Sequence, residues 1–193
     1  MVEMLSGGVV NWKSCQAFLG SACQRDDTEK TIDAVTIFSD DGVFSGVHNA
    51  AHEIGHIFGA YHDISTCEWA EGFIMAGSPR YTTNTSDFSP CSLKDMQNRL
   101  KDRKLTCLYN RPRKDGENLP KLMPGRMKNL EAQCKSLTGG SSCQNKYPEH
   151  SVCVNMFCFD ENGECSEVGT RALDGTECGS KNEFCLHHKC VSL

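Results

Sequence analysis

His52 and His56 stand four residues apart, and Glu53 follows the first of them. On a helix, side chains at that interval lie on one face, one turn above the other, so their imidazole nitrogens can meet a single cation. Gly59 comes three residues after His56 and can turn the chain back without a steric penalty, which brings in His62 as a third ligand. Three neutral nitrogens suit zinc and leave one tetrahedral position for water, the open arrangement of a catalytic rather than a structural site. Glu53 cannot share the ligand direction of its neighbour. It is therefore placed as the general base, taking a proton from water during attack on a peptide carbonyl and returning it to the leaving amine. His48, one turn before His52, has no ligand role on this reading, and Asp63 packs or hydrogen-bonds under the site. Four of the seven histidines fall between positions 48 and 62, so accidental placement accounts poorly for the pattern.

The elements that must position these groups follow from local signals. Ser45 is expected to N-cap a helix from Gly46 to about Phe58, with Gly59 in the left-handed C-terminal position. Cys15 to Cys23 is small and partly apolar and reads as a strand, whereas the charged residues 24–41 read as a loop. A second helix is expected from Ser92 to about Lys104, with Asp95 completing a weak capping box. From Arg111 to Gly125 the chain is polar and carries three prolines, which suits a linker. Beyond it the sequence predicts one helix, Arg126 to about Leu137, and then only short pieces between cysteines.

Composition bounds the setting. Thirteen cysteines in 193 residues indicate disulfides and an oxidising, extracellular compartment. The stretch Met1 to Gly8 has neither a basic segment nor an apolar run, so the export signal is expected upstream of this sequence. A net charge of -5 opposes nucleic-acid binding, and no apolar window is long enough for a membrane span. Five cysteines, at 15, 23, 67, 91 and 107, precede the linker, and eight lie between Cys134 and Cys190. Spacing alone leaves 105 pairings open for the second group.

The run His-Glu-x-x-His-x-x-Gly-x-x-His-Asp, from His52 to Asp63, resembles the metzincin signature in its reprolysin (adamalysin) form. The resemblance implies an α+β fold: the C-terminal part of a metzincin catalytic domain, with active-site helix, edge strand, methionine turn and C-terminal helix, then a small disulfide-rich, mostly irregular domain. It implies a secreted zinc metalloendopeptidase acting on protein or peptide substrates. Gly72 to Ala76 is similar to the methionine turn, with Met75 as an apolar floor and residues 76–81 bordering the specificity pocket. Leu19, Gly20, Ser21 and Ala22 are similar to the strand that lines the substrate cleft and pairs with extended peptide. The tail holding Cys107 and Asn110 resembles a structural calcium site. The likeness also implies the pairs Cys23–Cys107 and Cys67–Cys91, with Cys15 left unpaired in this chain. Only 51 residues precede His52, fewer than such a domain places there, so an N-terminally truncated piece is expected.

Asp174 to Gly179, with Met156 to Cys158 upstream and Lys189–Cys190 at the end, resembles the disintegrin-like domain of ADAMTS proteases. That likeness implies Cys134–Cys158, Cys143–Cys165, Cys153–Cys185 and Cys178–Cys190. The expected organisation is a catalytic part at 1–110, a linker at 111–125 and a cysteine-rich domain at 126–193 that holds substrate. The arrangement also resembles that of tick salivary metalloproteases, which implies matrix or blood proteins as substrates. The alternative is a binding module that captures such a protein, with a remnant protease half. Asn84-Thr85-Ser86 is the single glycosylation sequon.

Overall fold

A computed structural model describes residues 15–40, 44–64, 67–77, 82, 84–109, 122–148, 151–179 and 182–192. The chain separates into two compact units, residues 1–61 with 92–108, and residues 62–91 with 109–193.

In the first unit, strand β1 (Gln16–Ala17) pairs antiparallel with β4 (Thr36–Ile37), and β2 (Arg25–Asp26) pairs with β3 (Thr31–Ile32). One hairpin, β2–β3, and the strand β4 thus stand where residues 24–41 read as loop. Each strand has two residues, too few for an alternating pattern to show. Helix α1 (Ser45–Ile57) packs on β1 and β4. Its N-cap is Phe44, in the left-handed region at φ 65°, rather than Ser45. The capping acceptor comes from upstream, because the Gly46 N–H donates to Asp40 Oδ2 at 2.9 Å, placing a carboxylate at the positive end of the helix dipole. At the other end Gly59 N–H donates to His56 O at 2.8 Å and Ala60 N–H to Gly55 O at 2.9 Å. With Gly59 at φ 92°, this is a Schellman closure. Helix α2 (Pro90–Leu100) begins before Ser92 and stops four residues before Lys104, after which Asp102 caps a turn by accepting from Lys104 N–H. The Cys23–Cys107 bridge closes this unit across a separation of 84 residues.

The expected edge strand at 19–22 is not formed. Those residues make turns, Gly20 has φ 65°, and the N–H groups of Gly20 and Ala22 donate to the carbonyls of His56 and Ile57 at the end of α1. The helix terminus needed donors for its last carbonyls, and this segment supplies them in place of a ladder.

In the second unit the expected single helix is two: α3 (Pro124–Met127) and α4 (Leu130–Thr138). Asn129 separates them by accepting the Ala132 N–H on its side chain at 2.9 Å, which starts a new helix and ends the old one. Strands β5 (Phe157–Phe159) and β6 (Cys165–Glu167) form one hairpin, β7 (Glu183–Leu186) and β8 (Lys189–Ser192) another. The buried cluster is Cys134, Val152, Cys153, Met156, Cys158, Ala172 and Cys185, so bridge sulfurs occupy the place of branched aliphatics. Gln133 is 3% exposed and ties α4 to the following loop: Nε2 donates to Lys128 O and Thr176 Oγ1, and Oε1 accepts from Leu173 N–H. Among the described residues no helix is long and apolar enough to cross a membrane.

Candidate metal centre

Helix α1 presents His52 and His56 on one face, with ring centroids 4.8 Å apart and planes at 86°. The Schellman closure then turns the chain back through Ala60 and Tyr61 to His62. One nitrogen from each of His52, His56 and His62 lies within 4.8 Å of the others, close enough to share one ion. The His56 Nδ1 stands 2.8 Å from the Ala60 carbonyl. With the proton on Nδ1 and donated to that oxygen, the basic nitrogen is Nε2, and the carbonyl fixes the ring in an orientation that suits an imidazole binding a metal.

Glu53 is 3% exposed, and its Oε2 is buried with no hydrogen-bond partner. Burial pushes its carboxyl above the ordinary range, and the neighbouring charge of His56 offsets part of the rise. An orphaned buried carboxylate oxygen beside three convergent imidazoles fits a cation and a protic substrate in the same place. The donor set, all imidazole nitrogen, is borderline-soft and matches zinc rather than calcium or magnesium.

Asp63 follows His62 and is 2% exposed. Its N–H donates to Met75 O at 2.9 Å, and its Oδ1 accepts from Ser89 Oγ at 2.5 Å. Met75 is fully buried, and the turn around it is fixed by Ile74 N–H donating to Asp87 O. The bridge Cys67–Cys91 spans the segment that carries Met75. No local pattern marks Ser89, which lies 26 residues beyond Asp63, so sequence reasoning passed it over. Nor did it give Asp40 a part in capping α1.

A family model described as "Reprolysin (M12B) family zinc metalloprotease" matches residues 1–112. The chain belongs to the reprolysin family. A second model, described as "ADAMTS cysteine-rich domain 2", matches residues 124–191 of this reprolysin-family chain. A Bombyx mori protein, "A disintegrin and metalloproteinase with thrombospondin motifs like", is 35% identical over 188 residues, covering 91% of this chain and 26% of the relative. The human "A disintegrin and metalloproteinase with thrombospondin motifs 6" is 33% identical, covering 73% and 13%. The mouse "A disintegrin and metalloproteinase with thrombospondin motifs 13" is 33% identical, covering 81% and 12%. The reprolysin-family chain thus spans about a quarter of the silkworm relative and about an eighth of the others.

Other expected site residues fall as follows. The described disulfides are Cys23–Cys107, Cys67–Cys91, Cys134–Cys158, Cys143–Cys165, Cys153–Cys185 and Cys178–Cys190, and Cys15 is a free thiol. Of the substrate-cleft residues, Ser21 and Ala22 are buried, and the Gly20 carbonyl accepts from Arg99 Nε at 2.9 Å. With its N–H and carbonyl so engaged, Gly20 offers no ladder to a peptide. Cys107 is bridged, and Asn110 lies outside the described residues, as do residues 78–81 of the expected pocket border. Asn84, in the sequon, donates its amide to Glu71 O.

Proposed function

We propose that this chain carries the catalytic centre of an extracellular zinc metalloendopeptidase. Residues 1–110 are the reprolysin-type catalytic portion, 111–125 a linker, and 126–193 a disintegrin-like module that captures the protein substrate. One observation carries the reading: three imidazole nitrogens within 4.8 Å of one another accompany a buried glutamate whose Oε2 has no protein partner. His52, His56 and His62 would hold the metal, and Met75 underlies the turn that continues into Asp63.

When bound, zinc supplies Lewis acidity, polarising a peptide carbonyl and acidifying water. Glu53 does the proton work. Its carboxylate accepts a proton from the attacking water and delivers it to the amide nitrogen as the peptide bond breaks. Burial helps the first half of that cycle, because a carboxyl raised above its ordinary range gives a less stable anion and a better proton acceptor. Asp63, held by Ser89 and Met75 O, fixes the backbone next to His62. Extracellular matrix and blood proteins are the substrate class proposed, in keeping with the six bridges and an oxidising compartment.

The test is zinc content and cleavage of a denatured protein by the purified chain, with and without chelator, for wild type and Glu53→Ala. Equal zinc in both, with cleavage by wild type alone and lost to the chelator, is expected. Zinc bound without Glu53-dependent cleavage rejects the proposal in favour of a binding module.

A further inference from the structure

The sulfur atoms of Cys153, Cys178 and Cys190 lie within 4.8 Å of one another. All three are half-cystines, belonging to Cys153–Cys185 and Cys178–Cys190, so the cluster is two adjacent bridges rather than a metal site. The two bridges differ in access. Cys153 and Cys185 are 0% and 1% exposed, whereas Cys190 is exposed and Cys178 half-buried.

The β7–β8 hairpin adds a further relation. Its turn residues His187 and His188 both have positive φ, 46° and 65°, the two-residue type I′ loop that fixes register tightly. In that register Cys185 faces Cys190. Cys185 donates its N–H to Thr176 O and its carbonyl accepts from Gly175 N–H, so its hydrogen bonds run away from β8. Facing residues that exchange no hydrogen bonds have Cα atoms about 4.5 Å apart, within the span of a disulfide. Each of these two facing cysteines is nevertheless bridged outside the hairpin, Cys185 to Cys153 and Cys190 to Cys178.

We propose that the two bridges form a thiol-triggered exchange unit that untethers the β7–β8 hairpin. The trigger is a small-molecule monothiol. Its thiolate attacks Cys190 Sγ, forming a mixed disulfide there, breaking the Cys178–Cys190 bond and releasing Cys178 as a thiolate. Cys178 Sγ then attacks the adjacent Cys153 Sγ, forming Cys153–Cys178 and releasing the Cys185 thiolate. Cys185 attacks Cys190 Sγ, forming Cys185–Cys190 and returning the monothiol. Two disulfides are present before and after, no electrons are gained or lost, and the external thiol is a catalyst. The order is imposed by burial: an external thiolate reaches Cys190 but not the sealed Cys153–Cys185 bridge, which only a neighbouring sulfur can attack. In the product the hairpin is closed on itself, and no bridge ties it to the rest of its unit. The contacts that then loosen include Phe184 under the Arg126 guanidinium, 4.7 Å from the ring centroid, and His188 on a cavity of about 350 Å³ shared with Thr170 and Arg171.

The experiment incubates the full chain with reduced glutathione at mildly alkaline pH, quenches with acid, and maps linkages by mass spectrometry of non-reduced digests. Peptides joined through Cys153–Cys178 and Cys185–Cys190 are expected together, about tenfold faster than any exchange involving Cys134, Cys143, Cys158 or Cys165. Glutathione on Cys190 with Cys153–Cys185 intact overturns the proposal, as does exchange of all bridges at one rate. Cys190→Ser supplies an independent arm. Its Cys178 thiol is expected to displace Cys185 without added glutathione, so that alkylation labels Cys185 as well as the free Cys15; label on Cys178 and Cys15 alone overturns the proposal.

Discussion

Ser89→Ala removes a single hydroxyl, and its effect can be sized from the structure. The Ser89 Oγ donates to Asp63 Oδ1, and the residues are 0% and 2% exposed, so water does not replace the lost donor without opening the site. A hydrogen bond to a charged group contributes about 1.5–3 kcal/mol, and truncating one partner of a buried pair falls in the upper part of that range. A loss of about 2.5 kcal/mol in unfolding free energy is therefore expected, roughly a seventyfold change in the folded-to-unfolded ratio. Asp63 is also chained to the methionine turn through its N–H on Met75 O, and His62 precedes it directly, so backbone relaxation there moves His62, a ligand of the proposed metal site. Disturbing such an outer contact costs about tenfold in metal affinity. The assays are urea unfolding without reductant and zinc competition against a chromogenic chelator. A stability change under about 0.5 kcal/mol together with unaltered zinc affinity would refute the claim that this hydroxyl holds the His62–Asp63 backbone.

Gln133→Ala breaks three hydrogen bonds at a buried side chain and is expected to cost about 3 kcal/mol, read as an earlier denaturant midpoint for the cysteine-rich unit. Gly59→Ala places a side chain at φ 92° and brings its Cβ to 3.0 Å from Arg99 Cβ; a loss of about 1–2 kcal/mol, with weaker zinc binding, is expected by the same pair of assays. Burial, then the charge of Arg171, lowers the His188 pKa, against opposing pulls from Asp174 and Asp87. Its folded pKa is below its unfolded one, so the neutral form's contribution is complete above pH of about 6.5 and is lost as pH falls through the folded pKa. Unfolding midpoints between pH 7 and 5 should drop for wild type and drop less for His188→Gln.

The convergence of His52, His56 and His62 was legible because nearly all of it is local. His52, Glu53, His56, Gly59 and His62 lie in one run, and helix periodicity plus one glycine closure decides which side chains converge. What escaped was set by groups distant in sequence or by competition between adequate signals. Ser45 is a sound N-cap residue, yet Asp40 reached the helix first with a full charge. Asn129 is the same kind of residue, and its side-chain cap broke a helix that helical spacing alone would have continued. Residues 19–22 have strand-like composition, but the open carbonyls at the end of α1 claimed their N–H groups. Ser89 could not be found from sequence, since a buried hydroxyl 26 residues from its partner leaves no periodic trace.

The bridge from Cys23 to Cys107 makes a covalent ring of everything between them, including all three histidines and the methionine turn. For a member of a protease family that ring has a consequence for its own lifetime. A single cut anywhere inside it, by a neighbouring copy or another protease, separates no pieces: the nicked chain keeps its mass on a non-reducing gel and falls into two only when thiols are added. The smaller ring from Cys67 to Cys91 lies inside the larger one, so a cut there is held twice over. Self-digestion at the centre of this molecule would leave it in one covalent piece until it meets a reductant.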